Sequence, residues 1–151
     1  MQYTSMGNTT TILEREYTSP ASTPPTPYAL VVDDDDAILS VIMFLLETEN
    51  YAGLGFTDSP KVLPFLEQLE AEHLPSVILL DLMMPLVTGY ELAAQLSQHK
   101  RLSHIPIIIM TADSRVSRAS AVPGAAEWIG KPFQMQALLT KLAHYLSAPS
   151  K

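Results

Sequence analysis

Residues Tyr28 to Asp36 read YALVVDDDD, an apolar run that ends in four consecutive aspartates. Carboxylates placed this close together raise one another's pKa unless a cation lies among them. A second apolar run, Val77–Leu80, ends in the single carboxylate of Asp81. Because the carboxyl ends of parallel strands meet at one edge of a sheet, the two runs predict a shared, oxygen-rich site for a hard divalent cation such as Mg²⁺.

The composition is that of a single globular domain. The chain has 151 residues, of which 47% are hydrophobic, and this is enough to form a sizeable core. It has no cysteine, which excludes disulfides and thiolate metal sites, and its net charge of −7 argues against non-specific binding to nucleic acid or an anionic membrane. Since the N-terminus lacks a signal-peptide pattern and the longest apolar stretch is only about ten residues, we expect a soluble cytoplasmic protein.

Residues 1–27 differ from the rest of the chain because they are rich in Ser, Thr and Pro and poor in large apolar side chains. Such a segment buries too little surface to offset its conformational entropy, so we predict that it is disordered or extended. The patch Ile12–Tyr17 leaves a short docking segment as an alternative. We place the folded domain at residues 28–148.

From Tyr28 onward, apolar runs typical of strands alternate with helical patterns. The predicted strands are 28–33, 52–57, 77–81, 105–110 and 126–130. Helices follow them where apolar residues recur at i, i+3, i+4 and i+7, and a short fourth helix is expected at 113–121. Five such units in series predict an α/β fold with a doubly wound, five-stranded parallel sheet and helices on both faces.

The ligand site of an open parallel sheet lies beyond the carboxyl ends of its strands. The residues at these ends are Asp33, Asp34, Asp81, Thr111 and Lys131. The carboxylates would bind a cation that neutralises phosphoryl oxygens, and Asp81 is placed to act as a nucleophile that forms an acyl phosphate. The hydroxyl of Thr111 and the ammonium of Lys131 would bind the phosphoryl oxygens. The strand ends therefore predict a site for phosphoryl transfer.

Four motifs resemble the receiver domain of two-component response regulators over about residues 28–147. They are LVVDDD at 30–35, LDLMMP at 80–85 followed by Gly89, PIIIMTA at 106–112, and GKPF at 130–133. Each motif is weak alone, but the four occur in the order of the family and at nearly its spacing. The resemblance implies a flavodoxin-like sheet with the strand order 2-1-3-4-5.

The resemblance also implies a metal site and a phosphoacceptor. Asp33 and Asp34 would hold Mg²⁺ directly or through water, and Asp81 would be both a metal ligand and the phosphoacceptor. The backbone carbonyl of Met83 would complete the metal site.

The resemblance assigns the phosphoryl contacts and the switch to residues at or near the ends of the fourth and fifth predicted strands. Thr111, Ala112 and Lys131 would contact the phosphoryl group, and the peptide bond from Lys131 to the following proline would be cis. Thr111 and Trp128 would form a switch that changes the face made by the fourth helix, the fifth strand and the last helix.

The sequence departs from the family pattern at two places, of which the first affects the expected output surface. From Thr111 to Lys131 the chain is about two residues shorter than is typical, and it contains Pro123, which would end the fourth helix early. The loop residues Leu86–Thr88 are unusually apolar for an exposed turn.

Other functional classes fit less well. A haloacid-dehalogenase-type phosphatase needs an acidic residue after its lysine and a nucleophile on its first strand, whereas no residue after Lys131 is acidic. A phosphate-binding P-loop fails because Gly124 is one residue too far from Gly130, and Pro132 stands where Ser or Thr is required. A receiver-like scaffold that is not phosphorylated remains an alternative.

We therefore expect a stand-alone receiver domain. It would take its phosphoryl group from a histidine kinase or a histidine phosphotransfer protein and signal through contacts with an unknown downstream protein, without binding nucleic acid or a membrane. It would catalyse only its own phosphorylation and dephosphorylation, and would not turn over a metabolite. The face of the fourth helix, fifth strand and last helix could support a homodimer.

Overall fold

In the computed structural model, which describes residues 4–6, 9–13, 23–112 and 122–147, seven strands form one sheet with the order β1-β2-β4-β3-β5-β6-β7. The strands are β1 (Thr4–Met6), β2 (Thr9–Leu13), β3 (Tyr28–Val32), β4 (Ala52–Phe56), β5 (Val77–Asp81), β6 (Ile107–Thr111) and β7 (Ala125–Gly130). The helices are α1 (Asp36–Thr48), α2 (Val62–Glu67), α3 (Gly89–Gln98) and α4 (Met135–Leu146), with short 3₁₀ turns at Ser59–Lys61 and Ala71–His73.

The five parallel strands from β3 to β7 confirm the predicted order. β3 pairs with β4 and β5, β5 pairs with β6, and β6 pairs with β7, all in parallel. Numbered along the chain, these five strands have the order 2-1-3-4-5. The helix predicted at 113–121 lies outside the described residues.

The sheet is covered by helices on both faces, as predicted. Leu30 and Ile78 belong to an apolar layer that also contains the buried residues of α2 and α3. Their strand neighbours Val31 and Leu79 point to the other face, into a layer shared with α1 and α4. β3 and β5 are buried along their whole length, which explains why they read as continuous apolar runs. None of the helices in the described part of the chain is long and apolar enough to span a membrane.

Helix α1 packs directly against the backbone of β4. A Cβ atom added to Gly53 would lie 2.7 Å from the Cδ1 atom of Leu46, and one added to Gly55 would lie 3.0 Å from that of Leu39. The two glycines therefore leave the α1 face of β4 flat, and the helix fills the space with its own leucine side chains.

The N-terminal segment contributes two strands that the composition did not predict. β2 pairs in parallel with β4, and β1 pairs antiparallel with β2. The sequence predicted a disordered or extended segment, and residues 4–6 and 9–13 are extended strands at the edge of the sheet. An edge strand is held by backbone hydrogen bonds and needs little buried side-chain area, and β-branched threonines favour the extended conformation.

When β1 and β2 are deleted, the rate of amide exchange along β4 should rise at every second residue and stay low at the residues between them. The amide of Asp33 donates to the carbonyl of Phe56, so Phe56 and Leu54 direct their backbone groups toward β3, and Gly53 and Gly55 direct theirs toward β2. We expect deletion to accelerate exchange at the two glycine amides while Leu54 and Phe56 stay protected, as measured by NMR. Unchanged protection of Gly53 would contradict the pairing of β2 with β4.

Candidate functional site

Three carboxylates meet beyond the carboxyl ends of β3 and β5. One ligand oxygen from each of Asp33, Asp34 and Asp81 lies within 4.8 Å of the others. The side chains of Asp33 and Asp81 are buried, whereas Asp34 is exposed. The structure thus brings together the acidic residues that the sequence placed at two strand ends, and it leaves one of them open to solvent.

The four consecutive aspartates divide into two pairs. Asp33 belongs to the site, and its Oδ1 atom accepts a hydrogen bond of 2.9 Å from the amide of Asp35. Asp35 caps α1, because its Oδ1 atom accepts from the amides of Ala37 and Ile38 at 2.9 and 3.3 Å. Asp36 begins the first turn of the helix, where an acidic side chain complements the helix dipole.

Lys131 follows the last strand and reaches into the acidic cluster. Its Nζ atom donates to Asp33 Oδ2 at 2.9 Å and lies 3.5 Å from Asp81 Oδ1. The backbone places it there, since its amide donates to the carbonyl of Thr111 at 2.8 Å. Its peptide bond to Pro132 is cis. Lys131 therefore bridges the two buried carboxylates.

The other predicted phosphoryl contacts lie next to this lysine. Thr111 is the last residue of β6 and is buried, and it pairs in register with Gly130 of β7. Ala112 is exposed and lines a surface groove together with Lys131, Ile38 and Phe133.

The electrostatics of the cluster favour a bound cation. Burial, and then repulsion by Asp33, raise the pKa of Asp81 from 3.8 to about 6, although Lys131 opposes this shift. Burial alone would lower the pKa of Lys131, but its hydrogen bond to Asp33 and the charges of both aspartates raise it. Since three carboxylates face one ammonium, negative charge is in excess, and the oxygen donors fit a hard divalent cation such as Mg²⁺.

The loop after Asp81 is fixed at both of its ends. The amide of Met83 donates to Asp81 Oδ1 at 3.3 Å, and the amide of Gly89 donates to the carbonyl of Leu82 at 3.0 Å. Gly89 packs so closely that an added Cβ atom would lie 2.5 Å from the Cα atom of Leu82 and would overlap the carbonyl oxygen of Asp81. The Met83 side chain is 61% exposed, and the backbone amide is the group through which this residue contacts Asp81.

Sequence reasoning missed Ser59, a buried residue in the turn after β4. Its Oγ atom donates to the carbonyl of Val87 at 2.6 Å and lies 3.4 Å from that of Pro85. Because its partners are backbone carbonyls 26 and 28 residues away, no side-chain pattern in the sequence could reveal the contact.

The two predicted switch residues lie on neighbouring strands. Trp128 is half-buried and pairs with Ile109, two residues before Thr111. A Cβ atom added to Gly130 would lie 3.3 Å from the indole Cζ3 atom, so the ring lies beside the glycine that precedes Lys131. Trp128 is the single tryptophan of the chain and can therefore report on this site by fluorescence.

Helix α4 is attached to β7 by a second charged group. Lys141 Nζ donates to Glu127 Oε1 at 3.1 Å, and the hydroxyl of Tyr145 donates to Glu127 Oε2 at 2.8 Å. Burial would raise the pKa of Glu127, but these two hydrogen bonds lower it. This ion pair links β7 to α4 through side chains distinct from those of the acidic cluster.

Comparison with known protein families gives a match over most of the chain. The model of the response regulator receiver domain matches residues 29–143. The two-component response regulator ORR13 of Oryza sativa subsp. japonica is 33% identical over 111 residues, which cover 72% of this chain and 89% of that protein. The DNA-binding dual master transcriptional regulator RpaA of Synechocystis sp. is 30% identical over 118 residues, which cover 77% of this chain and 47% of that protein. The chain spans about half the length of RpaA and of several other curated relatives.

Solved structures show the same fold. The chemotaxis protein CheY4 of Vibrio cholerae superposes with a TM-score of 0.68 at 26% sequence identity, covering 80% of this chain and 98% of that chain.

Proposed function

Because the chain belongs to the response regulator receiver domain family of two-component signalling, we propose that Asp81 accepts a phosphoryl group from a histidine kinase or a histidine phosphotransfer protein. The observation that carries this proposal is the position of Lys131, between the buried carboxylates of Asp33 and Asp81. An Asp81 oxygen would attack phosphorus as the bond from phosphorus to the donor imidazole breaks. The electron pair of that bond would stay on the ring nitrogen, and the imidazole would leave neutral, with the proton that its other nitrogen already carried.

The chain's own groups would bind the transferred phosphoryl group. The ammonium of Lys131 already lies 3.5 Å from Asp81 Oδ1 and would pair with a phosphoryl oxygen. Thr111 and Ala112, at the end of the adjacent strand, would supply further hydrogen bonds. Asp33, Asp34, Asp81 and the carbonyl of Met83 would hold Mg²⁺, which when bound neutralises the charge on the phosphoryl oxygens.

Phosphorylation would be read out as a change in protein contacts. Trp128 lies beside Gly130, which pairs with Thr111, and this supports a structural link by which a change at Thr111 would reach the surface of β7 and α4. The same surface could form the interface of a homodimer. We propose that the domain acts in the cytoplasm, binds an unidentified downstream protein, and catalyses only its own phosphorylation and dephosphorylation.

The test is incubation with acetyl phosphate and Mg²⁺, followed by intact mass spectrometry. We expect one phosphoryl adduct on the wild-type protein and none on Asp81→Asn. Asp36→Asn is the matched control, because Asp36 is an exposed aspartate of the same run that belongs to the first turn of α1. An adduct that persists in Asp81→Asn, or a wild-type protein that takes up none, would refute the proposal, and the second result would favour a non-phosphorylated scaffold.

A further inference from the structure

The loop of residues 82–88, which joins Asp81 to α3, has an unfavourable conformation at its tip. Leu86 has a φ angle of 68°, and its side chain is 80% exposed. A left-handed backbone is costly for a residue with a Cβ atom, and it persists only where surrounding contacts hold it. The loop therefore needs a restraint close to Leu86.

Ser59 supplies that restraint from a different part of the chain. Its hydroxyl donates to the carbonyl of Val87 at 2.6 Å and lies 3.4 Å from the carbonyl of Pro85, so it contacts the residues on either side of Leu86. The side chain is buried, and it is held by the 3₁₀ turn that begins directly after Asp58. A buried hydroxyl with backbone acceptors is a short and directional contact, which fixes the position of the loop.

The restrained loop also carries the backbone of Met83 into the acidic cluster. The amide of Met83 donates to Asp81 Oδ1, and further along the loop the amide of Gly89 donates to the carbonyl of Leu82. A loop that shifted at Val87 would change where the backbone of Met83 stands relative to Asp81. The hydroxyl of Ser59 therefore links the turn after β4 to the loop that sets the position of the Met83 backbone relative to Asp81.

We propose that Ser59 is a positioning residue for phosphoryl transfer, which holds the loop of residues 82–88 so that the Met83 backbone faces Asp81 and the cation. This inference rests on the function proposed above. Ser59 touches neither the carboxylates nor the phosphoryl group, and it acts through the loop.

Three variants separate positioning from general stability. Ser59→Ala removes the hydroxyl, and Ser59→Thr keeps one. Ser97→Ala is the matched control, because the Ser97 hydroxyl donates to a backbone carbonyl, that of Ala94, within α3 and away from the loop. In metal-free protein we expect amide exchange at Met83 and Gly89 to accelerate about tenfold in Ser59→Ala, as for the loss of one hydrogen bond. Ser97→Ala should leave these two amides unchanged, and Ser59→Thr should restore their protection.

The same variants are then titrated with Mg²⁺ by Trp128 fluorescence and phosphorylated with acetyl phosphate. We expect Ser59→Ala to weaken Mg²⁺ binding and to slow phosphorylation, each by about tenfold, with recovery in Ser59→Thr. The inference would be overturned if Ser59→Ala kept the amide exchange rates and the Mg²⁺ affinity of the wild type. It would also be overturned if Ser97→Ala lost as much amide protection and Mg²⁺ affinity as Ser59→Ala. If the wild-type protein takes up no phosphoryl group, the proposed function fails, and exchange in the metal-free protein still decides whether Ser59 holds the loop.

Discussion

Replacement of Gly89 with alanine is expected to destabilise the protein by about 3 kcal/mol or more. Gly89 is the first residue of α3, and alanine normally stabilises a helix relative to glycine by about 1 kcal/mol. Here, however, the new Cβ atom would lie 2.5 Å from the Cα atom of Leu82 and would overlap the carbonyl oxygen of Asp81. Since both are backbone atoms, the clash is relieved only if the connection from β5 to α3 moves. Urea unfolding measures the loss.

An exposed position of the same helix gives the control for this prediction. Gln95 lies on the solvent face of α3, so Gln95→Ala and Gln95→Gly report helix propensity without a clash. We expect the alanine variant to be more stable than the glycine variant by about 1 kcal/mol, which is opposite in sign to the change at Gly89. A Gly89→Ala protein with the unfolding free energy of the wild type would show that α3 does not approach Asp81 this closely.

The sheet and its acidic edge could be predicted because their physical causes are visible in the sequence. Strands buried on both faces, such as Val77–Asp81, read as continuous apolar runs. The carboxyl ends of parallel strands converge, so Asp33 and Asp81 could be assigned to one site before their distance was known. The N-cap role of Asp35 has a separate, local cause, because a carboxylate at a helix start accepts from unpaired amides.

The features that could not be predicted depend on the backbone of distant residues. β2 joins the sheet through backbone hydrogen bonds to β4, which any extended segment could make. The contact of Ser59 with Val87 pairs a hydroxyl with a carbonyl, and a carbonyl is present in every residue. Gly89 was recognised as part of a motif, but the clash that makes glycine necessary there requires the position of Asp81 in space.

Replacement of Lys131 with methionine is expected to slow phosphorylation by about 100-fold while Mg²⁺ binds more tightly. The two effects have opposite signs because the ammonium helps one process and opposes the other. Its charge, 3.5 Å from Asp81 Oδ1, would stabilise a phosphoryl group in transfer, and methionine cannot replace it. The same charge repels a cation bound by Asp33 and Asp81, so its removal should lower the Kd for Mg²⁺ by about tenfold.

The stability of the folded protein should also depend on the charge of Lys131. Without Lys131 the carboxylate of Asp33 is buried and lacks its ammonium partner, which costs about 3 kcal/mol in metal-free protein. The pKa of Asp81 is already raised from 3.8 to about 6 in the folded state, and loss of Lys131 removes an influence that lowers it. A raised folded-state pKa means that stability is fully present below pH 3.8 and is lost as the pH rises through about 6, so the metal-free variant should go on losing stability above about pH 6, where the loss in the wild type levels off.

Measurement of both affinity and rate distinguishes this mechanism from a general loss of structure. Trp128 fluorescence gives the Mg²⁺ affinity, intact mass gives the phosphorylation rate, and thermal unfolding with and without Mg²⁺ gives the stability restored by the cation. Lys141→Met is the matched control, because Lys141 of α4 pairs with Glu127 of β7, so its replacement should change neither affinity nor rate. A Lys131→Met protein in which Mg²⁺ affinity and phosphorylation fall together would show that the lysine supports the structure of the cluster as a whole. Tighter binding with slower transfer requires an ammonium that competes with the cation and acts on the phosphoryl group.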